Sequence, residues 1–373
     1  MSVTEQISRT NSLSQIASRA VNECLQVQPN EQVTVTTWDH TLDYAEAIAL
    51  EIEKASGVST TTLMGNNFYW SYLKGVPEEQ FYRRQKGFLS LLDHTDAMIQ
   101  LGGPQDPAEY ARIPKERAAK MIRGQQAIGD KFVEKKIRTL TVPIGLVTRE
   151  RAKTYGFDYN NWLRIFNNSI DVEYSKIAKQ GEQLASKLRA GKNVRLTAEN
   201  GTDLSFQLKG RPVHISDGVL DKADLDRGTL FETLPAGVLE NAPDEDSAEG
   251  VVQFDQPSAL AGKMLRGLRW EFKAGHLTNY SATANLDSFR ELYENAEGEK
   301  NRFARVAIGL NPRAEPIGFF TDRLVQCMVS IGIGGNNGIG GDNKTVYGSE
   351  GSLRNATLEV DGSRIIANGR IQV

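Results

Sequence analysis

Histidine is scarce in this chain of 373 residues: His40, His94, His214 and His276 stand far apart, and none lies beyond position 276. A helical H-E-x-x-H zinc site is therefore excluded, because it needs two histidines four residues apart on one face. Cysteine is scarcer still. Cys24 and Cys327 sit in no C-x-x-C or similar spacing, which excludes a disulfide framework and a thiolate cluster and leaves two reduced, buried thiols as the expectation. No G-x-S-x-G occurs, so a hydrolase nucleophile elbow is excluded too. No segment approaches the ~18 continuous apolar residues of a membrane helix, and the opening "MSVTEQISRTNSLSQ" has no apolar targeting core. We therefore expect a cytoplasmic protein with no membrane partner. Neither sign of charge dominates: 44 basic against 47 acidic residues give a net −3, which offers polyanions no general attraction and excludes nucleic acid as an expected partner.

The chain does hold enough apolar residues, 39%, for sizeable cores, and its length favours two of them. From residue 12 onward helix and strand patterns alternate. Apolar positions at helical spacing run from Leu13 to Cys24, and "NEQVTVTT" then reads as a strand. "LDYAEAIALEIEKASG" (helix), "VSTTTLMG" (strand), "EEQFYRRQKGFLSLLDH" (helix), "DAMIQLGG" (strand), "KERAAKMIRGQQAIGDKFVEK" (helix) and "IRTLTVPIG" (strand) follow. Such alternation predicts an α/β lobe with a mainly parallel sheet flanked by helices. Two further helices, around "YNNWLRIFNNS" and "EYSKIAKQGEQLASKLRAG", lead into a strand-rich remainder that ends in a hairpin turned at Asp361-Gly362. The expected domains are 1–190, α/β, and 191–373, a strand-rich α+β lobe.

The densest punctuation is "VSIGIGGNNGIGGDNKTVYGSEGSL", residues 329–353, with eight glycines. Its core "GIGGDNKT" misses a Walker A loop by one residue, Asn343 standing where glycine is required, and no helix pattern follows to receive a phosphate. Positive-φ turns between short strands explain the glycines. The interleaved Asn336, Asn337, Asn343 and Thr345 mark a loop of the kind that borders sites.

Several segments resemble one family. "VQPNEQVTV" near the start, "GTDLSFQLKGR" at 201–211, "SDG" at 216–218, "PAGVLENAP" at 235–243, "EGVVQFD" at 249–255, "IGLNP" at 308–312 and the glycine run with its "LRNATLEVDG" appear in the order found in thermophilic-type metallo-aminopeptidases, the aminopeptidase T and aminopeptidase S family. The resemblance covers residue 20 to the C-terminus and implies an α/β lobe followed by a metal-binding lobe of the aminopeptidase T type, in a homodimer. Checked place by place, the ligands that the resemblance implies are gone: Val238 and Arg305 stand for two glutamates, Ser330 and Gly348 for two histidines, and Glu350 for an aspartate. A shift of the alignment by one or two residues would put Glu240 in the place of Val238.

One carboxylate cannot hold a two-metal centre, and an arginine repels a cation. The resemblance with its substitutions thus implies a catalytically inactive pseudo-enzyme without metal or other cofactor. It is similar to the metal-free peptide-binding proteins of crocagin-type ribosomal peptide biosynthesis, so a precursor peptide is the expected partner. The expected peptide-binding residues are Val238, Arg305, Ser330, Asn336, Asn343, Tyr347, Gly348 and Glu350, with the glycine loop offering a strand edge and Arg305 paired to Glu350. The alternative is an active metal-dependent aminopeptidase, or a ring-cleaving dioxygenase, with a different ligand set.

Overall fold

The computed structural model describes residues 12–83 and 85–372. Their contacts divide the chain into two compact units, residues up to 171 with 218–235, and residues 172–217 with 236–373.

The first unit is built on a five-stranded sheet of Gln32–Trp38, Val58–Met64, Ala97–Gln100, Arg138–Thr141 and Phe231–Thr233. In space the order is second, first, third, fourth, fifth, and every pairing is parallel. Parallel neighbours need long crossovers, and the helices supply them. Leu42–Lys54 buries Ala45, Ile48 and Ile52, one stripe at spacings of three and four, and ends just before Gly57. The helix Asn66–Gly75, rich in aromatic residues, has no counterpart in the sequence reading; it buries Trp70 and Leu73. The long helix expected over 115–135 is two, Lys115–Gly124 and Gln126–Lys135.

The second unit holds an eight-stranded antiparallel sheet and a five-stranded one. Strands Asn193–Thr197 and Asp203–Gln207 of the larger sheet alternate exposed and buried residues, the mark of a sheet with one face on the core. The C-terminal hairpin turns at Asp361-Gly362, both at positive φ, and a second turn at Asn368-Gly369 adds the short strand Arg370–Ile371. The smaller sheet runs Gly348–Leu353, Val329–Gly334, Phe303–Gly309, Val238–Asn241, Val213–Ser216, antiparallel throughout.

The division of the chain differs from a single cut near residue 190. Helix Tyr174–Ala190 packs on strand Val213–Ser216, so closely that a Cβ on Gly181 would lie 2.8 Å from Ile215, and it therefore belongs to the second unit. Residues 218–235 return to complete the parallel sheet with Phe231–Thr233. Neither attachment is written in local pattern; both are long-range pairings.

Candidate functional site

Register fixes which side chains share the polar face of the five-stranded sheet. Glu350 pairs with Gly332 and Gly332 with Arg305, while Ser352, Ser330, Ala307, Glu240 and His214 form the next row across. Val238, opposite Gly309, follows. Directly opposed residues point to the same side, so Val238, Arg305, Ser330, Gly348 and Glu350 are brought onto one face. The other face is apolar, with Val306, Ile308, Val329, Ile331 and Ile333 all buried.

Four charges meet on the polar face. Arg305 Nη1 lies 3.3 Å from Glu240 Oε2 and 3.9 Å from Glu350 Oε2. Arg323, which the sequence reading missed, donates from Nη2 to Glu240 Oε2 at 2.7 Å, and its Nε lies 3.5 Å from Glu350 Oε1. Gly332 makes room for the span, because a Cβ there would come within 2.7 Å of Arg305 Cγ. Each of the four side chains is 20–25% exposed. Burial alone would raise the pKa of Glu240, but the guanidiniums of Arg323 and Arg305 outweigh it and hold the carboxyl below its ordinary value. Glutamates on the same pocket raise Arg323 against the opposite pull of burial.

Arg323 arrives on the short turn Phe320–Leu324. Its neighbour Asp322 anchors that turn by accepting the N–H groups of Ile317 at 2.9 Å and Gly318 at 2.7 Å. The motif "IGLNP" has a comparable structural duty: Asn311 donates to the Ala236 carbonyl at 2.7 Å and accepts from Arg313 and Ala314, which locks "PAG" beside the strand that carries Glu240.

A cleft of about 170 Å³ opens along the outer strand, with Phe319, Phe320, Leu260 and Leu265 on its apolar side and Arg323 and Glu350 at its polar end. Gly348–Leu353 is an edge strand. The bond from Gly335 N–H to Tyr347 O at 2.8 Å sets its phase, so Gly348, Glu350 and Ser352 turn their backbone groups outward. Gln256 N–H covers the Ser352 carbonyl at 3.3 Å; among the described residues nothing pairs with the outward groups of Gly348 and Glu350.

Other expected residues are placed elsewhere or sealed. Asn336 and Asn343 are 2% and 0% exposed and serve their own loop. Asn343 donates to the carbonyls of Gly334 and Phe303, while Asn336 donates to Ala304 O and to Glu245. Ser330 is fully buried, its hydroxyl 2.7 Å from that of Ser352. Val238 sits in an apolar cluster with Ala307 and Leu324. Tyr347 packs edge-on against Tyr293. Between its two strands the glycine run forms only the turn Asn337–Ile339, with no helix after Lys344-Thr345, as the Walker comparison anticipated.

A sequence model of the family described as thermophilic metalloprotease (M29) matches residues 161–320. Aminopeptidase T of Thermus aquaticus is 23% identical over 330 residues, 83% of this chain and 79% of that protein. Wild-type AmpT from Thermus thermophilus superposes with a TM-score of 0.77 at 17% identity, over 98% of this chain and 100% of the other. The fold is aminopeptidase T-like. A more distant likeness, TM-score 0.65 at 14% identity over 97% of each chain, is to 2,5-dihydroxypyridine dioxygenase from Pseudomonas putida KT2440; it speaks for the fold alone. Over residues 161–320 the chain is thus similar to the thermophilic metalloprotease family, and along its length to aminopeptidase T.

A metalloprotease implies a metal, and the residues on the polar face of this chain do not fit one. Two guanidiniums occupy the polar face and already engage both glutamates. Val238 offers no lone pair, and His214 is the one imidazole in the rows that carry the quartet, its Nε2 buried without a partner. Among the described residues no group of three or more His, Cys, Asp or Glu side chains is arranged to hold an ion.

Proposed function

We propose that this chain is a non-hydrolytic relative of the metallo-aminopeptidases that binds a peptide, a precursor in ribosomal peptide natural-product biosynthesis, as a homodimer. The observation that carries the reading is the quartet: on the sheet face that holds the ligand places Arg305 and Glu350 implied by the resemblance, Arg305 and Arg323 neutralise Glu240 and Glu350. A divalent ion would have to displace two cations from a partly desolvated pocket, which like-charge repulsion opposes. The open backbone groups of Gly348 and Glu350 beside the Phe320 cleft suit an extended peptide added as a strand, with side chains alternating between cleft and solvent.

Elemental analysis of the purified protein, with an aminoacyl-p-nitroanilide assay after incubation with zinc, cobalt, manganese or iron, tests the first half. We expect well under one metal per chain and no turnover. Near-stoichiometric metal with metal-dependent hydrolysis would establish an aminopeptidase, and iron with ring cleavage a dioxygenase. Calorimetry against the short peptide encoded beside the gene tests the second half; absence of both heat and thermal stabilisation would remove peptide binding.

A further inference from the structure

We infer that the first unit carries an oxyanion site of its own, at the carboxyl ends of its parallel strands, with Arg151 as the cation. The strand order second, first, third, fourth reverses the direction of winding between Gln32–Trp38 and Ala97–Gln100. Loops leaving two such strands diverge, and the crevice between them is where doubly wound sheets take ligands.

That crevice is densely polar here. The Trp38 indole N–H donates to Gly102 O at 2.9 Å, and His40 Nε2 lies 3.0 Å from Gly145 O. Asn66 Oδ1 accepts the Gln105 N–H at 2.8 Å, and the Thr148 hydroxyl donates to Gln105 O at 2.8 Å. Gly102 adopts φ +98°, and a Cβ on it would lie 3.1 Å from Gly145 N, so the two loops touch through backbone. The His40 contact holds the turn 143–146 after the fourth strand; the others position the segment 101–106 after the third.

Arg151 lies against the same segment: its backbone N–H donates to the Thr148 hydroxyl at 3.1 Å, while its guanidinium takes no part in the bonds just described. It is 8% exposed, its Nη2 donates to Pro104 O at 3.2 Å, and its Nε is buried without a partner. Among the described residues no carboxylate comes within ion-pair distance of it. A sealed guanidinium elsewhere in this chain is answered differently: Arg211 is clasped by Glu245 and Asp342. Burial pushes the Arg151 pKa below the ordinary arginine value, and Tyr155, Tyr110 and Asp106 only partly oppose it.

An unanswered buried cation is costly unless something supplies the counter-charge. A planar guanidinium with open N–H groups matches the paired oxygens of a phosphate or carboxylate. The geometry therefore calls for a small ligand bearing one such group. Nothing in the peptide reading of the second unit bears on it.

Thermal melting of the full-length chain at constant ionic strength, with chloride replaced by inorganic phosphate or by acetate, is the test. We expect one of these anions to raise the wild-type midpoint by at least ~3 °C and Arg151→Met to abolish the rise. A response to phosphate alone assigns a phosphorylated ligand; a response to acetate assigns a carboxylate. Without added anion, Arg151→Met should melt no lower than wild type, since it removes an uncompensated charge. If Arg151 merely props the Pro104 carbonyl, the variant melts lower and neither anion acts on the wild type. Arg151→Lys, which keeps the charge and loses the fork, should weaken the anion response at least ~5-fold and decides the matter should the Met variant fail to fold. No wild-type response beyond chloride, or an equal response in the variants, overturns the site.

Discussion

Two arginine and glutamate clusters sit in the second unit, built from the same chemistry and sealed to different degrees. In the quartet of Glu240, Arg305, Arg323 and Glu350 each side chain keeps 20–25% exposure. In the lock beneath the glycine loop, Glu245 has none and Arg211 9%. Glu245 Oε1 accepts from Arg211, from Asn336 Nδ2 at 3.0 Å and from the Asp342 N–H at 2.8 Å. The difference teaches where charge holds structure and where it remains available. A carboxylate with three donors and no water fixes its surroundings, whereas carboxylates shared between two guanidiniums at the mouth of a cleft can exchange partners with a ligand.

Glu245→Ala should break the comparison most strongly. It would leave two donors of the glycine loop unanswered in a dry pocket and Arg211 held only by the exposed Asp342 and the Pro243 carbonyl, a loss of about 3–5 kcal/mol. Urea denaturation measures it, and a loss under about 1 kcal/mol would show the lock to be decoration.

Acid should reveal the same lock without mutation. Burial alone would raise the Glu245 carboxyl, but Arg211, the Asp342 N–H and Asn336 outweigh it and hold the pKa at about 2, against an ordinary 4.5. A depressed carboxyl binds its proton more weakly folded than unfolded. Its contribution, about 3 kcal/mol, is therefore full above pH 4.5 and fades as pH falls toward 2. Glu240 shifts in the same direction. Stability measured from pH 6 to 2 should fall in wild type and fall less steeply in Glu245→Gln.

Arg323→Ala comes next, at about 2 kcal/mol, because Glu240 would keep only the longer contact to Arg305. The same change should weaken peptide binding, read by calorimetry. An Arg323 variant as stable as wild type and binding as well would remove that residue from the quartet's account.

Which parts of this were legible in sequence follows from how far apart the partners lie. Alternation gave the parallel sheet, and Asp361-Gly362 gave its hairpin, since both are local signals. The polar face was legible too, because five substituted places taken from the resemblance share it by register. Arg323 was not: it stands in no strand pattern and reaches Glu240 from 83 positions away. The loop-holding bonds of Asn336 and Asn343 were not legible for a related reason. An amide between glycines reads equally as a ligand contact or as a staple for stray carbonyls, and only the fold shows Phe303 O and Gly334 O waiting for Asn343.

The smallest expected effect belongs to the pair that sequence singled out. Arg305 and Glu350 do meet, but at 3.9 Å and a quarter exposed, while Arg305 lies nearer Glu240 at 3.3 Å and Arg323 competes for Glu350 at 3.5 Å. In a shared network each removal lets the remaining partners regroup. The direct coupling of this pair should thus be about 0.5–1 kcal/mol in a double-mutant cycle of Arg305→Ala and Glu350→Ala. Repeating the cycle in an Arg323→Ala background sharpens the comparison with the lock. Without the competitor, Arg305 becomes the sole cation for both carboxylates, and its coupling to Glu350 should rise. Coupling that stays flat or vanishes there would mean that the two side chains are neighbours without interaction, and that Arg323 alone balances the face.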